Sequence, residues 1–326
     1  MAQRGGSLPS YADLEVIRAE AKMPVRRFCR RLGIPTSTWY DWRAAQLSGR
    51  PRKQWPAPVV DSIAEPAAAQ AHRWSAWGHR KIWAMMRVDG VKASQSSVYR
   101  ALHRQGLLQP ARYHAERRAL AEARKKAFVE PPTRRNRVWQ TDFTRIEIAS
   151  GSVWWISPLV DYATKVVLAA PISTRTAARD ALTALRDAIG EAERLLGHPL
   201  LEDCVDPDTG ELHPVILVTD NGPCYKSTDF ARFIASRPEL RHVRTRHYAP
   251  QTNGVVERFN QSLKYERLYR LEIGDGQALV DEVEDFRHEF NTIRPHEALD
   301  WERPLDLYLK PPPSYALFDD QSVRES

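Results

Sequence analysis

Residues 215–264 read VILVTDNGPCYKSTDFARFIASRPELRHVRTRHYAPQTNGVVERFNQSLK. The apolar, β-branched run Val215 to Val218 ends at Thr219-Asp220, and Asn221-Gly222-Pro223 forces a turn. Asp220 is therefore expected at the exposed C-terminal tip of a buried strand, where open α/β sheets keep their ligands. Glu257 follows after 36 intervening residues. It lies on an expected helix, Val255 to Lys264, with Val256, Phe259 and Leu263 on one face and Glu257, Asn260, Gln261 and Lys264 on the other.

A third carboxylate stands upstream in Val138-Trp139-Gln140-Thr141-Asp142-Phe143-Thr144-Arg145-Ile146. Trp139, Thr141 and Phe143 alternate with polar residues, so Asp142 is expected to project from mid-strand. Two aspartates on neighbouring strands and a glutamate on a helix at the sheet edge make an all-oxygen donor set suited to Mg²⁺ or Mn²⁺. Two such ions can clamp both sides of a phosphodiester during in-line displacement.

Four ordered stretches now stand in one chain: WQTDFT around Asp142, VTDNGP at Asp220, HYAPQTNGVVERFNQSLK from His247 to Lys264, and FNTIRPHEAL from Phe290 to Leu299. In order and spacing they resemble the retroviral-integrase-like DDE transposases encoded by bacterial insertion sequences, strongly over residues 134–309 and more loosely before that. The resemblance implies a ribonuclease-H-like α/β core with a mixed sheet, and catalytic, metal-binding roles for Asp142, Asp220 and Glu257. It implies DNA cleavage that leaves a 3′-hydroxyl, attack by that hydroxyl on a target phosphodiester, and no covalent enzyme intermediate. Bringing two element ends together calls for a homo-oligomer on DNA. The rivals are a DNA-binding regulator with an inactive integrase-like core and an RNA·DNA hybrid nuclease. Three carboxylates at the expected positions speak against the first, and paired helix-turn-helix segments speak against the second.

The bulk sequence agrees with a nucleic-acid partner. Of 326 residues, positions 1–137 carry 27 basic against 10 acidic side chains, and positions 138–326 carry 21 against 31. The first part suits a polyanion, whereas the second admits DNA to its acidic site only with cations present. No apolar run of about 18 residues occurs and the start MAQRGGSLPS has no signal-peptide core, so the default expectation is a cytoplasmic, nucleoid-associated bacterial protein with neither membrane nor small-molecule partner. Cys29, Cys204 and Cys224 are isolated and odd in number, as expected of reduced structural thiols.

In chain order, residues 1–48 read as a helix-turn-helix unit. Ser10 caps a helix Tyr11 to Lys22, Pro24 opens Val25 to Leu32, Gly33-Ile34-Pro35 turns, and Thr36 or Ser37 caps a third helix. On that third helix Ser37, Thr38, Asp41 and Arg43 are candidates for base or phosphate contact. Residues 49–58 are a Pro-rich basic linker, and residues 59–110 a second helix-turn-helix-like segment with His79, Arg80, Lys81, Ser96 and Arg100 as candidate DNA contacts. Residues 111–133 form a basic connector, with Arg117, Arg118, Lys125 and Lys126 expected to track the backbone.

The core, 134–310, is expected as strands Val138–Ile148, Val153–Val160 and Lys165–Ile172, then a helix Thr176–Leu196. Residues 311–326 are a tail. The acidic loop 197–213 reads as an insertion, because its spacing lacks the glycine and terminal glutamate of a calcium loop. Asp161 is the best decoy carboxylate, expected to bond locally within a turn. Asn221, Asn260, Gln261 and Lys264 stand behind the three carboxylates as residues that orient ligands or hold DNA. His247, Tyr248 and His296 have no partner at metal-ligand spacing.

Overall fold

The computed structural model describes residues 10–48, 61–108, 132–244 and 253–313. The chain divides into two compact units, Met1–Asp61 and Ser62–Ser326.

Among its described residues the first unit holds three helices, α1 (Tyr11–Glu20), α2 (Val25–Leu32) and α3 (Thr36–Leu47). Ser10 closes a capping box with Asp13, and Gly33 ends α2 in the left-handed region at φ +69°, as a C-terminal glycine does. The expected cap of α3 shifts by one residue: Pro35 is the N-cap, without a side-chain cap bond, and Thr36 begins the helix. Leu14, Phe28, Cys29 and Trp39 form the core, with Trp39 edge-on to both Tyr11 and Phe28.

The second unit opens with α4 (Ala64–Arg73), α5 (His79–Val88) and α6 (Gln95–Arg104). Ser94 caps α6 by accepting from Ser97 N at 3.1 Å. These helices share a core of Ala67, Trp77, Ile82, Met86, Val98 and Leu102, against which Ile293 packs from the far end of the chain.

Eight strands follow: β1 (Val138–Thr141), β2 (Thr144–Glu147), β3 (Val153–Ile156), β4 (Leu159–Asp161), β5 (Val167–Ala169), β6 (Ile172–Ser173), β7 (Val215–Thr219) and β8 (Leu240–Arg244). They form a five-stranded sheet in the order β5-β4-β1-β7-β8 and a three-stranded sheet in the order β2-β3-β6. β1, β4 and β5 run antiparallel, while β7 and β8 add in parallel to β1. This is the mixed α/β sheet expected of a ribonuclease-H-like core.

Each of the three long strands expected from the sequence is broken once. The breaks fall at Asp142-Phe143, Ser157-Pro158 and Ala170-Pro171, and the ladders on either side place them opposite one another. Pro158 and Pro171 have no N–H to give to a ladder, so two of the strands cannot run through. Asp142 therefore lies in the break just after β1 and not in mid-strand.

The sheet is covered on both faces. Trp139, Leu159, Val215 and Leu217 pack with Leu182, Leu185 and Ile189 of the helix Ala178–Leu196. Val160 and Val167 pack on the opposite side with Val256, Phe259 and Leu263 of the helix Gly254–Glu266 and with Val283, Phe286 and Phe290 of the helix Gly276–Thr292. No helix among the described residues is long and apolar enough to cross a membrane.

The loop 197–213 is more structured than an insertion needs to be. It contains a short helix, Leu200–Asp203, and a bridge between Val205 and Leu212. Asp203 is buried, pairing with Arg135 at 2.9 Å and accepting from Asn136 Nδ2 at 2.9 Å.

Candidate active site

β7 is buried along its whole length, and Asp220 is exposed immediately after it. β1 pairs with β7 in parallel through Val138↔Ile216, Trp139↔Leu217 and Gln140↔Val218. The same register, carried two residues on, sets Asp142 level with Asp220. Both aspartates thus leave the C-terminal ends of adjacent parallel strands, the place where an open α/β sheet offers a cleft.

Glu257 is brought to this edge by β1 itself. Gln140 is fully buried, and its Oε1 accepts from Val255 N at 2.9 Å and Val256 N at 3.3 Å. Asn253 Nδ2 donates to the Thr141 carbonyl at 3.1 Å. The first N–H groups of the helix Gly254–Glu266, which have no partner within the helix, are thereby fixed to the strand that ends at Asp142. Glu257 lies in the first turn of that helix.

Burial pushes the Asp142 carboxyl up to about 7, and the negative charges of Asp220 and Glu257 push in the same direction. Burial lowers Lys264 below the usual lysine range, and the charge of Asp142 partly offsets it. Cys224 is pushed up to about 11, chiefly by burial, with Asp220 and Asp142 adding to the rise. All three cysteines are buried and free.

Gly222 shapes the Asp220 turn. Its N–H donates to Asp220 Oδ1 at 2.9 Å, and a Cβ at this position would stand 2.9 Å from the same oxygen. Among the described residues, no three Asp, Glu, His or Cys side chains gather closely enough to hold a metal ion. The trio is a set of neighbours on a hinge of strand ends and helix start, not a closed cage. Its chemistry nevertheless fits a hard divalent cation: the donors are all carboxylate oxygens, and the charges of Asp220 and Glu257 add to the burial that raises Asp142.

The remaining sequence candidates separate. Asn260, expected on the open face, is buried, and its Oδ1 has no hydrogen-bond partner among the described residues. Gln261 is half-buried. Ser37 and Arg43 are exposed and Thr38 half-buried on α3; Ser96 and Arg100 are exposed on α6. Arg80 pairs with Glu297, and Lys81 Nζ donates to Glu266 Oε1 at 2.8 Å, so both meet protein carboxylates. Arg117, Arg118, Lys125, Lys126, His247 and Tyr248 lie outside the described residues. His296 is enclosed against Phe290 at 4.5 Å, with burial the main cause of a pKa held well below the usual imidazole value.

Asp161 is the internal staple its turn position suggested. Its oxygens accept from Thr164 N at 2.8 Å, Thr164 Oγ1 at 2.7 Å and Asn136 N at 2.7 Å. Sequence reasoning missed Gln140 and Asn253, whose signal was a polar residue inside an apolar strand and an Asn-Gly ahead of a helix. It also missed Asp203, hidden among solvated acids of the same loop.

Two overlapping family models, both described as Integrase core domain, match residues 132–250 and 239–304. The transposase InsD for insertion element IS2A/D/F/H/I/K of Escherichia coli is 25% identical over 263 residues, covering 76% of this chain and 78% of that one. The InsD transposase for IS2-9 of Escherichia coli K12 is 25% identical over the same length, covering 76% of each chain. Among solved structures, the simian T-cell lymphotropic virus intasome in complex with PP2A regulatory subunit B56 gamma is 21% identical at TM-score 0.45, covering 76% of this chain and 77% of that one. The HTLV-2 integrase catalytic core in complex with magnesium is 20% identical at TM-score 0.38, covering 53% of this chain and 96% of that one. The chain thus carries integrase core domain matches across residues 132–304 and is homologous to the IS2 transposase InsD.

Proposed function

We propose that this protein is a transposase that binds the ends of a mobile DNA element and catalyses metal-dependent strand cleavage and strand transfer. The observation that carries this reading is the strand-end geometry: Asp142 and Asp220 follow the C-terminal ends of the adjacent parallel strands β1 and β7, with Gln140 fixing the Glu257 helix to the same edge.

Asp142, Asp220 and Glu257 would hold Mg²⁺ or Mn²⁺, two ions in the full site. Such ions supply Lewis-acid activation of a water or a 3′-hydroxyl and neutralise charge on the phosphoryl oxygens. The chain's own part is placement. Gln140 and Asn253 keep Glu257 beside Asp142, Gly222 sets the Asp220 oxygen, and Lys264 offers a cation to a DNA phosphate. The exposed polar residues Ser37, Arg43, Ser96 and Arg100 lie on the two helices best placed in the sequence pattern to meet duplex DNA, with Thr38 beside them. The division into a first helix-turn-helix, 1–48, a second, 59–110, a basic connector, 111–133, and a core, 134–310, belongs to this reading, as does a homo-oligomer on paired ends.

The test is a cleavage and strand-transfer assay on labelled duplexes carrying the sequences that flank the gene, with Mg²⁺, Mn²⁺, Ca²⁺ or EDTA, beside Asp220→Asn. Activity in Mg²⁺ or Mn²⁺ that disappears with EDTA and in the variant is expected. Specific binding without cleavage in any metal would point instead to a DNA-binding regulator.

A further inference from the structure

The helix that begins near Glu257 ends at Glu266, and Glu266 is gripped from two directions. Arg294, from the FNTIRPHEAL stretch, donates through Nε to Oε2 at 3.0 Å and through Nη2 to Oε1 at 2.8 Å. Lys81 of α5 donates to Oε1 at 2.8 Å. Arg294 is itself buried, reaches Ser262 Oγ at 3.3 Å and lies over Phe290 at 4.9 Å, while Phe290 stands edge-on to Phe259 of the Glu257 helix at 5.0 Å. Burial raises Glu266, but Arg294 and Lys81 together outweigh it and hold the carboxyl well below its usual range.

The second grip is reinforced around its rim. Arg80 pairs with Glu297 and lies over Trp301 at 5.7 Å, and Trp83 meets Trp301 edge-on at 5.6 Å. Trp301 and the preceding Asp300 have φ of +71° and +55°. Two consecutive non-glycine residues in the left-handed region are held only where their surroundings over-determine them; here the turn delivers Trp301 to α5. Arg270, just past the helix end, donates to Ser75 Oγ at 2.9 Å. At the start of α5, His79 stands edge-on to Tyr99 of α6 at 5.1 Å.

A surface linker would not need this. The segment α4–α6 is tied to the core at the far end of the one helix whose first turn holds Glu257, through a carboxylate shared by two cations. A buried carboxylate shared in this way resists small displacements, because moving Glu266 off would leave the buried Arg294 guanidinium unpaired. We propose that Lys81, Glu266 and Arg294 are positioning residues that transmit engagement of DNA by α6 to the placement of Glu257. The proposal rests on the transposase reading above, since it takes Glu257 as part of the reacting centre and α6 as a DNA-facing helix.

The experiment compares cleavage of a duplex bearing the gene's flanking terminal sequence with cleavage of a scrambled duplex of equal length, for the full chain and for Lys81→Met and Lys81→Arg. Lys81→Met keeps the stem volume and leaves the Glu266–Arg294 pair intact. It is expected to bind the terminal duplex within twofold of the original and to cleave it at least tenfold more slowly, down toward the scrambled rate, with that scrambled rate unchanged. Lys81→Arg should recover most of the difference. An equal fall on both duplexes, or no fall, overturns the proposal.

Hydrogen exchange on the unaltered chain gives an independent answer, also if Lys81→Met does not fold. Amides of residues 254–266 should gain protection with the terminal duplex and not with the scrambled one, and no difference overturns the relay. If the unaltered chain cleaves neither duplex in Mg²⁺ or Mn²⁺, the transposase reading fails, and the exchange measurement still decides the relay because it needs no chemistry.

Discussion

Gln140 Oε1 accepts the Val255 N–H at 2.9 Å, across 115 residues of chain, and so caps the Glu257 helix from the strand that ends at Asp142. One side chain thereby ties the first turn of the Glu257 helix to the end of β1. The cap is internal, since Gln140 is fully buried and lies two residues before Asp142.

Replacing Gln140 with Leu leaves the N–H groups of Val255 and Val256 without their acceptor in a buried place. That should cost about 1–3 kcal/mol of stability. Strand cleavage should fall further than stability does, by tenfold or more at a temperature where the variant is fully folded. Chemical denaturation beside a cleavage time course checks both; full activity in a destabilised variant would show that the cap does not set Glu257.

Gly222→Ala separates placement from stability in the opposite sense. The added Cβ would meet Asp220 Oδ1 at 2.9 Å, but that atom is the end of a side chain in an exposed turn and can swing away. The melting temperature should stay within a few degrees, a shift of about 1 kcal/mol or less. Cleavage should fall by at least tenfold, because the swing moves a carboxylate off its position. A variant with unchanged activity would mean that the Asp220 rotamer is not critical.

The sequence made the ends of elements legible and left their interiors obscure. β7 could be located because an apolar β-branched run stops at Asp-Asn-Gly-Pro, and each of those residues has a local reason to end a strand. The Glu257 helix announced itself through Val256, Phe259 and Leu263, all of which prove buried. The broken strands were not foreseen, because alternation in Trp139, Thr141 and Phe143 continues past the break. Pro158 and Pro171 carried the warning, and it reaches Asp142 only through pairing between strands far apart in sequence. Lys81 reads in the sequence as a candidate DNA contact and Asp203 as part of an acidic inserted loop, and only tertiary packing gives them their buried carboxylate and cation partners. Asp142, Asp220 and Glu257 could be listed together from order and spacing, whereas their shared edge depends on the β1–β7 register and on Gln140.

Asp203 provides a control in which a carboxylate matters for the fold alone. It holds Arg135 and Asn136, and those residues in turn bond the C-terminal helix Pro304–Leu309: Arg135 Nη1 reaches the Tyr308 carbonyl at 2.8 Å, and Tyr308 OH reaches Asn136 Oδ1 at 3.0 Å. Asp203→Ala takes the carboxylate from the part-buried Arg135 guanidinium and from the buried Asn136 amide, and should cost about 3 kcal/mol. Below its lowered melting point the variant should bind terminal duplex and cleave it near the original rate. A selective loss of cleavage in a stably folded Asp203→Ala would place this residue in the chemistry instead.

Asp142 links the site to pH and to cations. Its carboxyl is pushed from 3.8 up to about 7, first by burial and then by Asp220 and Glu257. Below about pH 4 the group is protonated in both folded and unfolded chains. Between about 4 and 7 the folded chain keeps a proton that the unfolded chain has released, so this group's contribution to stability falls as pH rises and is lost above about 7. Because the carboxyl is not sealed from solvent, the loss should be on the order of 1–3 kcal/mol, less than the full shift would imply. Asp142→Asn removes that slope, so it should melt above the original chain at pH 8 in EDTA and show little advantage at pH 4. Adding Mg²⁺ at pH 8 should raise the melting point of the original chain, since a ligand that binds only the folded state stabilises it in proportion to its occupancy. The same addition should raise Asp142→Asn much less. Thermal melts at the two pH values, with EDTA, Mg²⁺ or Ca²⁺, read all of this without any cleavage reaction. Parallel curves for the two proteins under every condition would mean that Asp142 neither bears the repulsion of its neighbours nor takes part in holding a cation.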